Sequence, residues 1–211
     1  KNFAFHTKIQ AKDYCFIKEP IVLGNGFHLP NYSYKNIQNG PIGWVGRVAP
    51  EKGLEDAVYV AREVNEKLNV WGFIQDEQYA AEIEKEYSAN FITWKGFLNT
   101  YELQQELGNC RALINTPKWN EAYGNVIVEA MACGVPVISY ERGGPSEIIK
   151  HGETGFLVTP NDRKSLVSFL KKIDMIERKK CREWVENYAS SKIFTDKVVC
   201  WLKEVIKEYK D

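Results

Sequence analysis

The chain has 211 residues, 44% of them hydrophobic, enough to bury a full core as one domain, or one domain with appended elements, and too few for two large ones. With 28 basic and 28 acidic residues its formal charge is zero, so no general field attracts nucleic acid or an anionic membrane, and any anion must be held locally. No apolar run approaches the roughly 18 residues of a membrane span, and the five cysteines form no C-x-x-C pair, which disfavours both a disulfide framework and a zinc site.

The first residue is Lys1 rather than Met and no signal-peptide pattern follows, as expected of a fragment or processed chain. Residues 3–6 read as a short strand, 8–16 as a helix and 21–23 as a strand. Gly24-Asn25-Gly26 and a polar stretch over 31–40 come next, so residues 1–23 look like the tail of something else and 24–40 like a linker. From residue 41 onward, apolar runs rich in β-branched residues alternate with helical periodicity. Strands are predicted over 43–48, 69–74, 90–94, 112–116, 135–140 and 156–158. Helices are predicted over 53–68, 78–87, 100–107, 125–133 and 145–150. This is the pattern of a doubly wound α/β domain, a parallel sheet covered on both faces. Three further helices, over 162–173, 176–188 and 192–209, are expected to pack back on the sheet or on a partner domain.

In an open parallel sheet ligands bind beyond the carboxyl ends of the strands. The turn over 46–53 lies there and carries Arg47 and Lys52, a fork and a point charge suited to a diphosphate, or else a solvated basic turn. Glu121 and Glu129 stand eight residues apart around a helix start at Asn125, where free N–H groups and the dipole favour an anion and the carboxylates accept hydroxyls. Glu129 sits among Val126, Ile127, Val128 and Met131, too apolar a helix for a surface acid without a partner. Gly96-Phe97-Leu98 is either a backbone platform for a flat ring or an ordinary turn, and residues 143–147 read as a structural turn.

The chain has no G-x-G-x-x-G, no P-loop ending after Gly26 and no G-x-S-x-G elbow. His6, His28 and His151 have no metal-ligand spacing, so no metal is expected. The scattered tryptophans are assigned to packing, and the basic run at 178–180 to a solvated helix face. Reduced thiols in a cytoplasmic protein are the simpler reading of the cysteines.

Five blocks, G-R-x-x-x-E-K-G at 46–53, E-x7-E at 121–129, E-A-M-A-C-G-V-P-V-I at 129–138, G-G-P-S-E at 143–147 and H-G-E-T-G-F-L-V at 151–158, resemble family 4 glycosyltransferases of the GT-B fold in order and spacing. The resemblance covers roughly residues 20–205 and implies a Rossmann-like nucleotide-sugar-binding domain over 41–190, with a C-terminal helix over 191–211. It implies that Arg47 and Lys52 bind the diphosphate of a UDP-, GDP- or ADP-linked sugar, and that Glu121 meets sugar hydroxyls and Glu129 the ribose. It further implies that amides around Tyr123, Gly124, Asn125 and Val126 hold phosphate and sugar, while Gly96, Phe97 and Leu98, with Gly46 nearby, line the base. Family members transfer a hexose-type sugar with retention and without metal or cofactor. The acceptor, a glycan, lipid or small molecule, would be bound mainly by an N-terminal domain of which residues 1–23 resemble the closing remnant, so the chain alone is expected to be inactive. An epimerase or phosphorylase of the same architecture, a non-catalytic binding module, and attachment of the whole protein to a membrane surface all stay open.

Overall fold

The computed structural model describes residues 3–14 and 19–208. Residues 42–158 build a six-stranded, wholly parallel sheet from β3 (Ile42–Val45), β4 (Leu68–Trp71), β5 (Ile92–Gly96), β6 (Ala112–Asn115), β7 (Val137–Tyr140) and β8 (Gly155–Val158). Their spatial order is β5-β4-β3-β6-β7-β8, so the chain winds outward in one direction from β3, then returns and winds the other way from β6. Ile42, Leu68, Val70, Leu113, Val137 and Ile138 are fully buried, because a parallel sheet with helices on both faces leaves its strands no wet side. On one side α2 (Leu54–Glu63) packs with α3 (Glu77–Tyr87) and α7 (Arg163–Leu170). The other set comprises α4 (Thr100–Gly108), α5 (Asn125–Ala132), α6 (Pro145–Ile148) and α8 (Arg178–Tyr188).

The order reverses between β3 and β6, whose register pairs are only Ile42 with Ala112 and Gly43 with Leu113. Beyond them the strands part, and the crevice that opens is the ligand position of a doubly wound sheet. The two loops that leave it are tied together: the Thr116 hydroxyl donates to the Gly53 carbonyl at 2.7 Å and the Lys118 N–H to the Glu51 carbonyl at 2.9 Å. Gly53 has φ +66°, and a Cβ there would stand 2.0 Å from the Thr116 carbonyl oxygen, so no other residue fits.

Element boundaries depart from expectation where tertiary contacts intervene. The first helix stops at Glu63 rather than running to Leu68, because Asn65 turns at φ +56° and Leu68 already pairs in β4. The strand ahead of α4 is Ile92–Gly96, two residues later than the apolar run suggested. Near the N-terminus α1 is Lys8–Lys12, between β1 (Ala4–Phe5) and β2 (Ile21–Val22), which pair in parallel. Positions 15 and 16 of the expected helix, Cys15 among them, and Tyr209 at the end of α9 (Ser191–Glu208) lie outside the described residues.

The segment ahead of the sheet is fastened to it. Glu147 accepts from the Lys8 and Ile9 N–H groups at 3.0 and 2.7 Å, and the buried Thr7 hydroxyl donates to Ala122 at 2.9 Å. Residues 31–40 are held by Arg178, which is not on a solvated face: it is 5% exposed and donates to the carbonyls of Lys35, Gly108 and Cys110. Cys110, Cys133 and Cys181 are buried free thiols that burial pushes up to about 12, so they stay protonated. Among the described residues no helix is long and apolar enough to cross a membrane.

A second set of ties centres on Asp56, in the first turn of α2 and 0% exposed. It accepts from the Lys118 ammonium, the Arg163 guanidinium and, at 2.7 Å, the Tyr140 hydroxyl, while Lys118 also pairs with Glu55 at 3.2 Å. Asp56 and Tyr140 are fully buried, whereas the Lys118 and Arg163 side chains keep 26% and 36% exposure, so removing Asp56 leaves a buried hydroxyl without its acceptor and two partly hydrated cations. Asp56→Ala therefore lowers the unfolding free energy by about 2 kcal/mol, read from the urea midpoint; a loss under about 1 kcal/mol, the range of exposed pairs, would show the network to be dispensable.

Candidate functional site

Loop residues 46–53 leave β3 and place both expected cations at the carboxyl edge. Pro50–Lys52 forms a 3-10 turn that holds Lys52 toward β6, where its Nζ meets Glu121 Oε2 at 2.7 Å. Each of these side chains is about one-fifth exposed, 21% and 20%. The Lys52 ammonium also lies 4.8 Å from the centroid of the Trp119 ring. Trp119 is 45% exposed, so it is a wall of the site rather than the packing residue its type suggested. Arg47 stands further out, donating to Gln75 and, at 3.1 Å, to Glu51.

Glu121 is positioned through its backbone. It bridges to Gly143, and the Gly144 N–H donates to its carbonyl at 2.6 Å. A Cβ on Gly143 would fall 2.2 Å from that carbonyl oxygen, and its φ is +70°. The turn over 143–147 thus has a purpose its sequence did not disclose: it carries Glu121 at one end and, through Glu147, α1 at the other.

Helix α5 starts at Asn125 with Gly124 as its N-cap, and no side chain caps it. Its first N–H groups and the positive end of its dipole therefore face the crevice rim, as a phosphate requires. The Asn125 and Asn25 side-chain amides bond to each other at 2.7 Å. Tyr123 turns its buried ring toward His6, with centroids 6.0 Å apart, and offers the crevice only backbone. Val126 is half-buried against the core. One and a half turns into the helix, Glu129 receives a hydrogen bond from the Tyr32 hydroxyl at 3.2 Å. Burial holds the Glu129 carboxyl above the usual range, an effect that this bond partly offsets.

Beside Arg47 lies an apolar slot of about 210 Å³ lined by Val45, Gly46, Trp71, Phe97, Leu98 and Leu103. It contains Phe97 and Leu98 of the expected base site and Gly46 of the expected donor-binding residues, and Gly96 ends the strand that leads into it. Phe97, 71% exposed, is a flap at the mouth. Trp71 was not foreseen: it is 1% exposed, and its indole N–H has no hydrogen-bond partner among the described residues. A second, polar cleft of about 370 Å³ separates α1 from the turn at 120–122, with Gln10, Asp13, Asn120 and Glu121 in its walls. Arg47 and Lys52, with Glu121, Gly46, Phe97 and Leu98, thus lie along one edge of the sheet, whereas the Tyr123 ring, Val126 and Glu129 are turned into the protein. Trp119 and Glu147 were missed because each acts through a partner far away in sequence, Lys52 and the Lys8 and Ile9 N–H groups, and Trp71 because its type reads as ordinary packing.

The chain as a whole has relatives among known proteins. The chain is 32% identical over 136 residues to the 2-deoxystreptamine N-acetyl-D-glucosaminyltransferase of Niallia circulans, a match covering 62% of this chain and 35% of that protein. It is 27% identical over 184 residues to the capsular polysaccharide biosynthesis glycosyltransferase CapM of Staphylococcus aureus, covering 81% of this chain and 47% of the relative. The chain therefore spans about a third to a half of the length of these curated relatives. Among solved structures, Anabaena Alr3699/HepE in complex with UDP and glucose superposes with a TM-score of 0.78 at 21% identity, over 87% of this chain and 56% of that one. That likeness establishes the fold, one Rossmann-like unit of the GT-B architecture. The family described as glycosyl transferases group 1 matches residues 25–191, and the chain belongs to it.

Proposed function

We propose that this chain is the donor-binding half of a retaining glycosyltransferase, which moves a hexose-type sugar from a nucleoside diphosphate sugar to an acceptor held mainly by a further domain. The observation that carries the reading is the placement of Arg47 and Lys52 on one loop, at the point where the strand order reverses, with Lys52 paired to Glu121 four residues before the uncapped start of α5. Three positive sources then converge on one anion, and the slot beside Arg47 has apolar walls for a base. The solved relative that contains UDP and glucose supports this choice of ligand.

Under this reading the base enters between Leu98 and Gly46, and the diphosphate lies across Arg47, Lys52 and the N–H groups at 124–126. The sugar then reaches Glu121. The leaving group is a diphosphate on which negative charge grows, and fixed cations with a helix dipole stabilise that charge without rearranging, as a metal ion does elsewhere. The chain's own groups therefore suffice for departure, with no resident cofactor called for. Glu121, paired with Lys52 before donor binds, accepts sugar hydroxyls and has no nucleophilic role in this reading. The isolated chain binds donor weakly and transfers nothing, and the whole protein acts in the cytoplasm.

Calorimetric titration of the chain with UDP, GDP and ADP tests the reading. One nucleotide binds, and Arg47→Ala combined with Lys52→Ala weakens it by about tenfold or more, the worth of one to two charge-assisted contacts. Equal heats before and after substitution would sink the assignment of these cations.

The ribose role of Glu129 makes a separate prediction. Because burial raises its carboxyl, the folded chain favours the protonated acid; that preference is present in full below the ordinary value of 4.5 and is lost as pH rises through the higher folded value. Ribose hydroxyls that donate to the carboxylate would offset this cost. Glu129→Gln mimics the protonated form, so it raises the urea midpoint at pH 7, and the difference from wild type closes below about pH 4. A lower midpoint at pH 7 would overturn the argument.

A further inference from the structure

Both cations of the anion site already have carboxylate partners, and the two pairs are unequal. Arg47 meets Glu51 at 3.1 Å on the open rim, with 43% and 35% of the side chains exposed. Lys52 meets Glu121 at 2.7 Å with 21% and 20% exposed, and the face of Trp119 closes a further side of the ammonium. Exposed pairs are screened and net little, whereas a partly buried pair feels a lower dielectric. A phosphate oxygen arriving at Arg47 therefore displaces almost nothing, while one arriving at Lys52 competes with Glu121.

Glu121 responds to the two parts of a donor with opposite signs. An ionised carboxylate only accepts hydrogen bonds, so beside a diphosphate it is a like charge. Beside sugar hydroxyls it finds donors that replace the ammonium it shares or yields. The root of its side chain is held at the site, because the backbone of Glu121 is bound to Gly143 and Gly144. Given that the diphosphate lies on Lys52, as the functional reading above holds, we infer that Glu121 is a specificity determinant which sets the sugar-bearing nucleotide against the bare one. It tolerates a diphosphate that brings hydroxyls and opposes one that does not. After transfer the hydroxyls leave with the sugar, Glu121 recaptures Lys52, and the spent nucleoside diphosphate is expelled. The carboxylate thereby drives product release, a task distinct from reading the sugar.

The test is calorimetry on the 211-residue chain at low salt, with UDP, GDP or ADP, whichever binds most tightly, and with its glucose conjugate. Glu121→Gln keeps shape and an acceptor while removing the charge. The bare nucleotide then binds about threefold or more tightly, about the worth of one partly buried ion pair, whereas the glucose conjugate gains less, so the preference for the sugar-bearing form falls. Glu51→Gln changes the bare nucleotide by less than about twofold, as an exposed pair should. With Lys52→Ala in the background, Glu121→Gln brings less gain than it does alone, which ties part of the effect to this pair. Thermal melts confirm that each variant is folded. Unchanged or weaker binding of the bare nucleotide to Glu121→Gln, with dependence on Lys52 intact, overturns this inference alone. Wild-type binding indifferent to Lys52→Ala, or no nucleotide binding at all, overturns the donor-site reading and this inference with it.

Discussion

The parting of β3 and β6 after two register pairs is the constraint on which the rest of the site depends. Once the strands separate, each sends its loop away on its own side, and between β3 and β6 the backbone polar groups lose their mutual partners, although the loop after β3 stays bonded to the chain after β4. They are satisfied across the gap instead, Thr116 to Gly53 and Lys118 to Glu51, and then by a second stitch from Gly144 to Glu121. Approaches this close leave no room for a Cβ at residues 53 and 143, so the glycines of the two turns follow from the crevice itself. Lys52, one residue before the first, and Glu121, held by the second, are therefore placed by main chain rather than by flexible side-chain preference.

A buried carboxylate stiffens the same crevice from below. Asp56 lies in the first turn of α2, where the dipole favours it, and is surrounded by Lys118, Arg163 and Tyr140 from three separate elements. Taking these charges out of water costs about as much as their attraction returns, so the set is poorly explained as a source of net stability. Its geometric effect is specific. Lys118 is fixed at one end by Asp56 and at the other by the Glu51 carbonyl, and Trp119, the next residue, is thereby brought against the Lys52 ammonium. Positioning is gained at little expense in free energy.

The sheet was legible because fully buried parallel strands read as short apolar runs, and Val137-Ile138 or Leu113-Ile114 admit few other interpretations. The turns that follow those strands were legible through their glycines and charges, and the five sequence blocks drew Arg47, Lys52, Glu121 and Glu129 to one edge. What could not be read were polar side chains whose partners lie far along the chain. Arg178 looks like the first member of a basic run, yet it reaches three carbonyls some 70 to 143 residues distant. Glu147 resembles an ordinary helix-start acid but caps α1, 138 residues earlier. Asp56 has the pattern of a first-turn surface residue. No periodicity records such pairings, because a side chain's local sequence is the same whether its partner is water or a remote backbone group.

Electrostatics join these threads. The chain as a whole is neutral, and its anion site is nearly neutral too, since Arg47 is matched by Glu51 and Lys52 by Glu121. A site of this kind gains little from long-range steering, which needs an uncompensated field. Under the proposed reading its affinity comes from exchanging partners at contact: phosphate for carboxylate at Lys52, hydroxyl for ammonium at Glu121. Exchange is selective in a way that simple attraction is not, because each ligand group must replace what it removes. A free phosphate answers only one half of the exchange, and a free sugar only the other. A nucleoside diphosphate sugar, the proposed donor, would answer both, since Lys52 and Glu121 stand side by side in the crevice between β3 and β6.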